Sequence, residues 1–170
     1  VPVRPQVVQS FSKGDYERTF ALTYSVSKLS CFILYFIGLP LIMELEYVLN
    51  LWLGGNIPNH TSVFIVIIFA TTMVSMLNSA ISNIVHASGK MALYQSVGGI
   101  IGISSVPVAY LFLKNGGTPE SAMLVAFAVM AIGHTVGLYI LKTIVGFSIK
   151  QYLFRAIFPI CFVILSTCWI

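Results

Sequence analysis

The sequence predicts an all-α, polytopic transmembrane helix bundle, and three observations predict it. Of 170 residues, 58% are hydrophobic and 8% are charged, against about a quarter charged in soluble domains. Apolar runs of about 20 residues, the length a helix needs to cross a bilayer, recur along the chain. The connectors between them are short and rich in breakers: GGNIPNH, ASGK, KNGGTPE and TIVGFSIKQYLFR. A soluble domain of this length has too little interior to hide so much apolar surface. Barrel strands would alternate polar and apolar residues over short segments, which this chain does not do.

Residues 1–28 read as a cytoplasmic segment and residues 29–170 as the membrane bundle. Pro2 and Pro5 are expected to end a preceding helix, and Gly14-Asp15 to supply a turn and an N-cap. From Tyr16 onward, Phe20, Tyr24 and Ser27 fall near one face, with Arg18 and Lys28 on others. That pattern predicts a helix lying in the interface and leading into the first span; a loop with a helical end fits the same residues. About five membrane helices follow, at about 29–53, 62–86, 92–113, 121–141 and 156–170, the last incomplete. The chain opens on VPVRPQ, without the pattern of a signal peptide, and stops inside an apolar run. It is therefore expected to be part of a longer polytopic protein.

Lysine and arginine set the expected orientation. Arg4, Lys13, Arg18, Lys28, Lys90, Lys142, Lys150 and Arg155 fall on one side of the alternating spans, and Lys114 alone on the other. The start of the chain is then cytoplasmic, and the GGNIPNH and KNGGTPE loops face outward. The net charge of +4 reads as topology in a lipid bilayer. Without a basic cluster interleaved with aromatics, no nucleic-acid partner is expected. Cys31, Cys161 and Cys168 lie in apolar runs with no metal-like spacing to a histidine, and read as small buried hydrophobes. No catalytic, cofactor-binding or metal-binding set is predicted. No connector is long enough for a soluble domain, which argues against an enzyme.

Polar residues inside the spans are the candidates for function, because they are costly there. In the second span Thr71, Ser75, Asn78, Ser82 and His86 recur every three or four residues, with Ser79 at the edge. They line one side of a helix over roughly 22 Å. Two readings fit: the wall of a hydrophilic transport cavity, or hydrogen bonding to neighbouring helices. His134 sits mid-span between Gly133 and Gly137, where it could relay a proton or bond to a neighbouring helix. Gly133/Gly137 and Gly98/Gly102 form two GxxxG pairs suited to close helix contact.

Glu44 and Glu46 pose a separate problem. Counted from Leu29, Met43 comes too soon for a span, so the helix is expected to continue through both acids to Trp52, an interface anchor. The acids then lie about 9 to 12 Å below Trp52 along the axis. Being roughly 200° apart around a helix, they cannot both face one cavity. Glu44 is taken as the one that does. The candidate cavity or coupling residues are therefore Glu44, Asn78, Ser82 and His134.

Several segments resemble a known family. VRPQVVQSFSKGDYERTFALTYSVSK, LPLIMELEYVLNLWLGGNIPNHT, ASGKMALYQ and VPVAYLFLKNGGTPES are similar, in that order, to bacterial Wzx-type polysaccharide (O-antigen) flippases. These belong to the multidrug/oligosaccharidyl-lipid/polysaccharide exporter superfamily. The matching pieces are topological signatures and include no catalytic motif. The resemblance implies about twelve to fourteen helices in two pseudo-symmetric bundles around a central cavity. It implies the cytoplasmic (inner) membrane, and a lipid-linked oligosaccharide on undecaprenyl diphosphate as substrate. The head group would cross by alternating access, often coupled to an ion gradient, for surface polysaccharide or lipopolysaccharide synthesis. The spans here would be the ninth to twelfth plus part of the thirteenth. The N-terminal bundle of the same protein, with its cationic cavity residues, would then be a partner outside this chain. The alternatives are another exporter of that superfamily, handling drugs or a peptidoglycan precursor, or a membrane enzyme of glycan assembly.

Overall fold

The computed structural model describes residues 3–55 and 57–167. Pro2, Asn56 of the first connector, Cys168 and the last three residues of the fifth predicted span lie outside the described residues. Those described form α1 (Val3–Ser12), α2 (Tyr16–Met43), α3 (Leu45–Leu53), α4 (Thr61–Ser88), α5 (Met91–Lys114), α6 (Pro119–Val145), α7 (Ile149–Tyr152), a π turn (Leu153–Ile157) and α8 (Phe158–Thr167). Five stretches are long and apolar enough to cross a membrane: α2, α4, α5, α6 and the run from Ile149 to Thr167. The molecule is an all-α, multi-pass membrane bundle. The three middle helices begin and end within a few residues of the spans read from hydropathy.

The N-terminal region differs from its sequence reading. Pro5 lies in the first turn of α1, where the missing N–H has no helical partner to lose, so it does not keep this segment out of a helix. α1 packs against α2 and α4, with Val7 fully buried. Gly14 then takes a left-handed turn (φ 75), and the Asp15 carboxylate accepts the Arg18 N–H at 3.0 Å to start α2. α2 runs unbroken past Lys28, because a lysine marks depth in a membrane without ending a helix. Its 28 residues rise about 42 Å, more than the roughly 30 Å hydrocarbon layer. Phe20 and Tyr24 share a face, as expected, but it is a packed face. Both rings meet Phe147 edge-on, at 5.1 and 5.6 Å between centroids.

With α2 starting at Tyr16, no extension to Trp52 is needed to reach across. The helix instead breaks at Glu44 (φ −103, ψ 28), four residues after Pro40. Pro40 has no N–H to offer the preceding turn and crowds its carbonyl, which loosens the helix locally. α3 resumes after that single residue.

The core gathers at one end, where α1, α2, α4, α6 and α7 converge. Val7, Tyr24, Ile81, Ile84, Val85, Leu138, Leu141, Phe147, Tyr152 and Ala156 form one buried cluster. It includes residues next to the ASGK and TIVGFSIKQYLFR connectors, the basic ones. Gly89 and Gly146 close α4 and α6 in the left-handed conformation, which lets each helix stop and turn there. At the opposite end His60 pairs with Glu120, tying the first connector to the start of α6. Two loops on the same side of the bundle should meet in this way. Among the described residues α5 buries none of its own; it lies at the periphery, packed mainly on α6.

Candidate functional site: a polar seam between three helices

Asn78 of α4 is the hub. Its side-chain oxygen accepts from His134 Nδ1 of α6 at 3.2 Å and from the Tyr94 hydroxyl of α5 at 3.4 Å. One amide oxygen thus joins three membrane helices. The local sequence permits it: a Cβ on Gly137, one turn beyond His134, would stand 3.1 Å from the Tyr94 ring. Glycine there lets Tyr94 reach across the face of α6 to Asn78. Gly133 lies near Ile101, while Gly98 and Gly102 have open space around them. Both GxxxG pairs border one groove, but only Gly133 and Gly137 lie against a neighbouring side chain.

Donation from Nδ1 leaves Nε2 of a neutral His134 as a lone-pair acceptor. His134 is only 7% exposed, and Nε2 has no partner among the described residues. The Tyr152 ring lies 6.1 Å away, and its hydroxyl is buried without a partner too. The Tyr24 hydroxyl and Ser27 Oγ are in the same condition. Buried polar atoms are nearly always satisfied, so this concentration around one aromatic cluster sets it apart from the rest of the core.

Two adjoining cavities flank the seam. One, of about 310 Å³, runs between α5 and α6 and includes Asn78, Tyr94, Gly98, Gly102 and Met130 in its lining. The other, also about 310 Å³, lies between α4 and α6 and is lined in part by Thr71, Ser75, Ala126 and Met130. The polar stripe of the second span is thus split by role. Thr71 donates to the Ile67 carbonyl at 2.7 Å and Ser82 to the Ser79 carbonyl at 2.8 Å, both inside their own helix. His86 is exposed beyond the packed region.

Of the four candidates, the structure brings Asn78 and His134 together. Ser82 sits one turn from Asn78, half-buried and bonded locally. Glu44 is remote: it is exposed at the α2–α3 break and lines a depression of about 390 Å³ together with Glu46, Tyr47 and Ser62. Both acids therefore face the same depression. The 200° separation assumed a regular helix, and the break at Glu44 removes that premise. Among the cysteines Cys31 is buried, its thiol directed at the Met73 carbonyl, whereas Cys161 is exposed on α8. An apolar run in a membrane protein can face outward, so hydropathy did not place Cys161 inside.

Sequence reading missed Tyr94 and Tyr152, because tyrosines near span ends normally read as interface anchors. Tyr24 and Ser27 had been placed on one face, but at the membrane surface. Among the described residues no group of three or more His, Cys, Asp or Glu is arranged to hold a metal. Fold and seam define a class: a multi-pass helical membrane protein with a buried polar joint between crossing helices. No protein-family model, no curated protein and no solved structure matches this chain.

Proposed function

We propose that the chain is part of a transporter that flips a lipid-linked oligosaccharide on undecaprenyl diphosphate across a bacterial cytoplasmic membrane, with residues 1–28 on the cytoplasmic side. The observation that carries this reading is the Asn78 joint beside open grooves. Polar bonds between membrane helices are modest, about 0.6 kcal/mol on average. A joint of that strength holds helices in register yet can be exchanged, as a helix bundle that alternates between two accesses requires. The segments similar to Wzx-type flippases support the same reading and name the cargo. The task needs no covalent chemistry. A diphosphate and its sugars cannot cross hydrocarbon unaided, because their desolvation costs far more than thermal energy. Polar groups along a groove replace lost water while the lipid tail stays in the bilayer.

The test is deletion of the gene in its own host. Lipid-linked oligosaccharide should accumulate on the cytoplasmic leaflet and surface polysaccharide should fall, with recovery on complementation. Normal outer-leaflet display in a strain with no redundant transporter would refute the reading.

A further inference from the structure

At the basic end of the bundle, α2 and the π turn enclose a depression of about 230 Å³ lined by Ala21, Tyr24, Ser25, Lys28 and Arg155. We propose that this depression binds a lipid phosphate, and specifically the diphosphate of a polyprenyl carrier. The identity of the carrier rests on the function proposed above; the phosphate chemistry rests on the site itself.

Two cations share this small volume without a counter-charge. The chain has five acidic residues, and the ion pair found among the described residues, His60 with Glu120, lies at the other end. Like charges side by side against a low-dielectric bundle repel, and a bound anion is what turns the arrangement favourable. Beside them Tyr24 is only 4% exposed, its ring fixed against Phe147 and Tyr152, and its hydroxyl has no partner. Two cations and the exposed Ser25 hydroxyl along one depression are a partial cradle for phosphate oxygens.

The backbone is adapted to this placement. Pro159 offers no N–H to the Arg155 carbonyl, and its ring crowds that carbonyl. The helix widens in response: Phe158 N–H bonds five residues back to the Leu153 carbonyl, and the π turn that carries the exposed Arg155 packs on α2. Such turns are frequent where a side chain is set for function. An arginine fork and a lysine charge are the usual pair for phosphate. Two positive charges match a diphosphate better than the single charge of a phosphodiester.

The test uses the protein in lipid nanodiscs with three probes: undecaprenyl diphosphate, uncharged undecaprenol and phosphatidylglycerol. Undecaprenyl diphosphate should bind the wild type best. Lys28→Gln with Arg155→Gln should weaken that binding by about tenfold or more, the loss expected for charged hydrogen bonds. Ser25→Ala should weaken it by a smaller factor, Lys28→Arg should retain it, and undecaprenol binding should not change. The undecaprenol arm also verifies that each variant is folded. Undecaprenyl diphosphate binding that is equal in wild type and double variant overturns the site and leaves the transport reading standing. If the double variant loses phosphatidylglycerol, while wild type binds undecaprenyl diphosphate no better than undecaprenol, the lipid-phosphate site stands. In that case the carrier assignment and the transport reading fall.

Discussion

Replacing Asn78 with alanine tests the joint most directly. The substitution removes the one oxygen that receives both His134 Nδ1 and the Tyr94 hydroxyl. At 3.2 and 3.4 Å these bonds are at or beyond the long end of the normal range. Each should contribute near the membrane average of about 0.6 kcal/mol, not the maximum of about 1.7. Their sum is about 1.2 kcal/mol, roughly an eightfold change in the folding equilibrium at RT of about 0.59 kcal/mol. The half-buried amide leaves little cavity, so about 1 to 2 kcal/mol is the expected loss. Reversible unfolding in bicelles measures it, with Ser82→Ala as the control. Ser82 donates within its own helix, so its loss should cost less than about 0.5 kcal/mol. A double-mutant cycle between Asn78→Ala and His134→Ala should return a coupling of about 0.5 kcal/mol or more. If Asn78→Ala costs no more than Ser82→Ala, or the cycle is additive, the amide does not hold these helices and the reasoning fails.

Two further outcomes separate packing from polar bonding. Tyr152→Phe removes a buried hydroxyl that has no partner and should leave stability unchanged or raised, whereas Phe147→Ala should cost about 3 to 5 kcal/mol by emptying the centre of the core; a large loss for Tyr152→Phe in the same unfolding assay would show that the hydroxyl is satisfied. A His60→Cys, Glu120→Cys pair should crosslink under mild oxidation in native membranes, because the two side chains meet. Absence of the crosslink would break the arrangement of these two connectors.

Hydropathy made the crossing helices legible because bilayer thickness sets their length, and composition excludes a soluble core. What it could not give was the ends. Lys28 reads as a boundary in the sequence, but helix continuity depends on backbone bonding, which a charged side chain does not interrupt. The break at Glu44 leaves no mark in the residue types, since the Glu44 N–H still bonds the Pro40 carbonyl and the loss shows only in the backbone angles. Asn78 and His134 were each singled out as costly polar residues in hydrocarbon. Their pairing was not visible, since it depends on how α4 and α6 are rotated and slid against each other. The small residues that set that fit, Gly137 above all, lie in another helix from the Asn78 and Tyr94 they bring together.

The distribution of packing also says where motion costs least. The buried cluster joins α1, α2, α4, α6 and α7 at the basic end, so separating any of these exposes apolar core. α5 buries nothing of its own among the described residues, and its polar tether is the single bond from Tyr94 to Asn78. Shifting α5 therefore gives up its contacts along α6, one modest hydrogen bond and the packing of Met91 and Tyr94 against the edge of the cluster. The groove beside it already carries Gly98 and Gly102 with space around them. α5 is thus a peripheral helix, joined to α4 through a turn closed by Gly89, packed along α6 and bordering an open groove. Asn78 stands where the buried cluster gives way to this peripheral helix, and because its oxygen bonds to both α5 and α6 while Thr71 and Ser82 bond within α4, its side chain governs the seam more than either hydroxyl does.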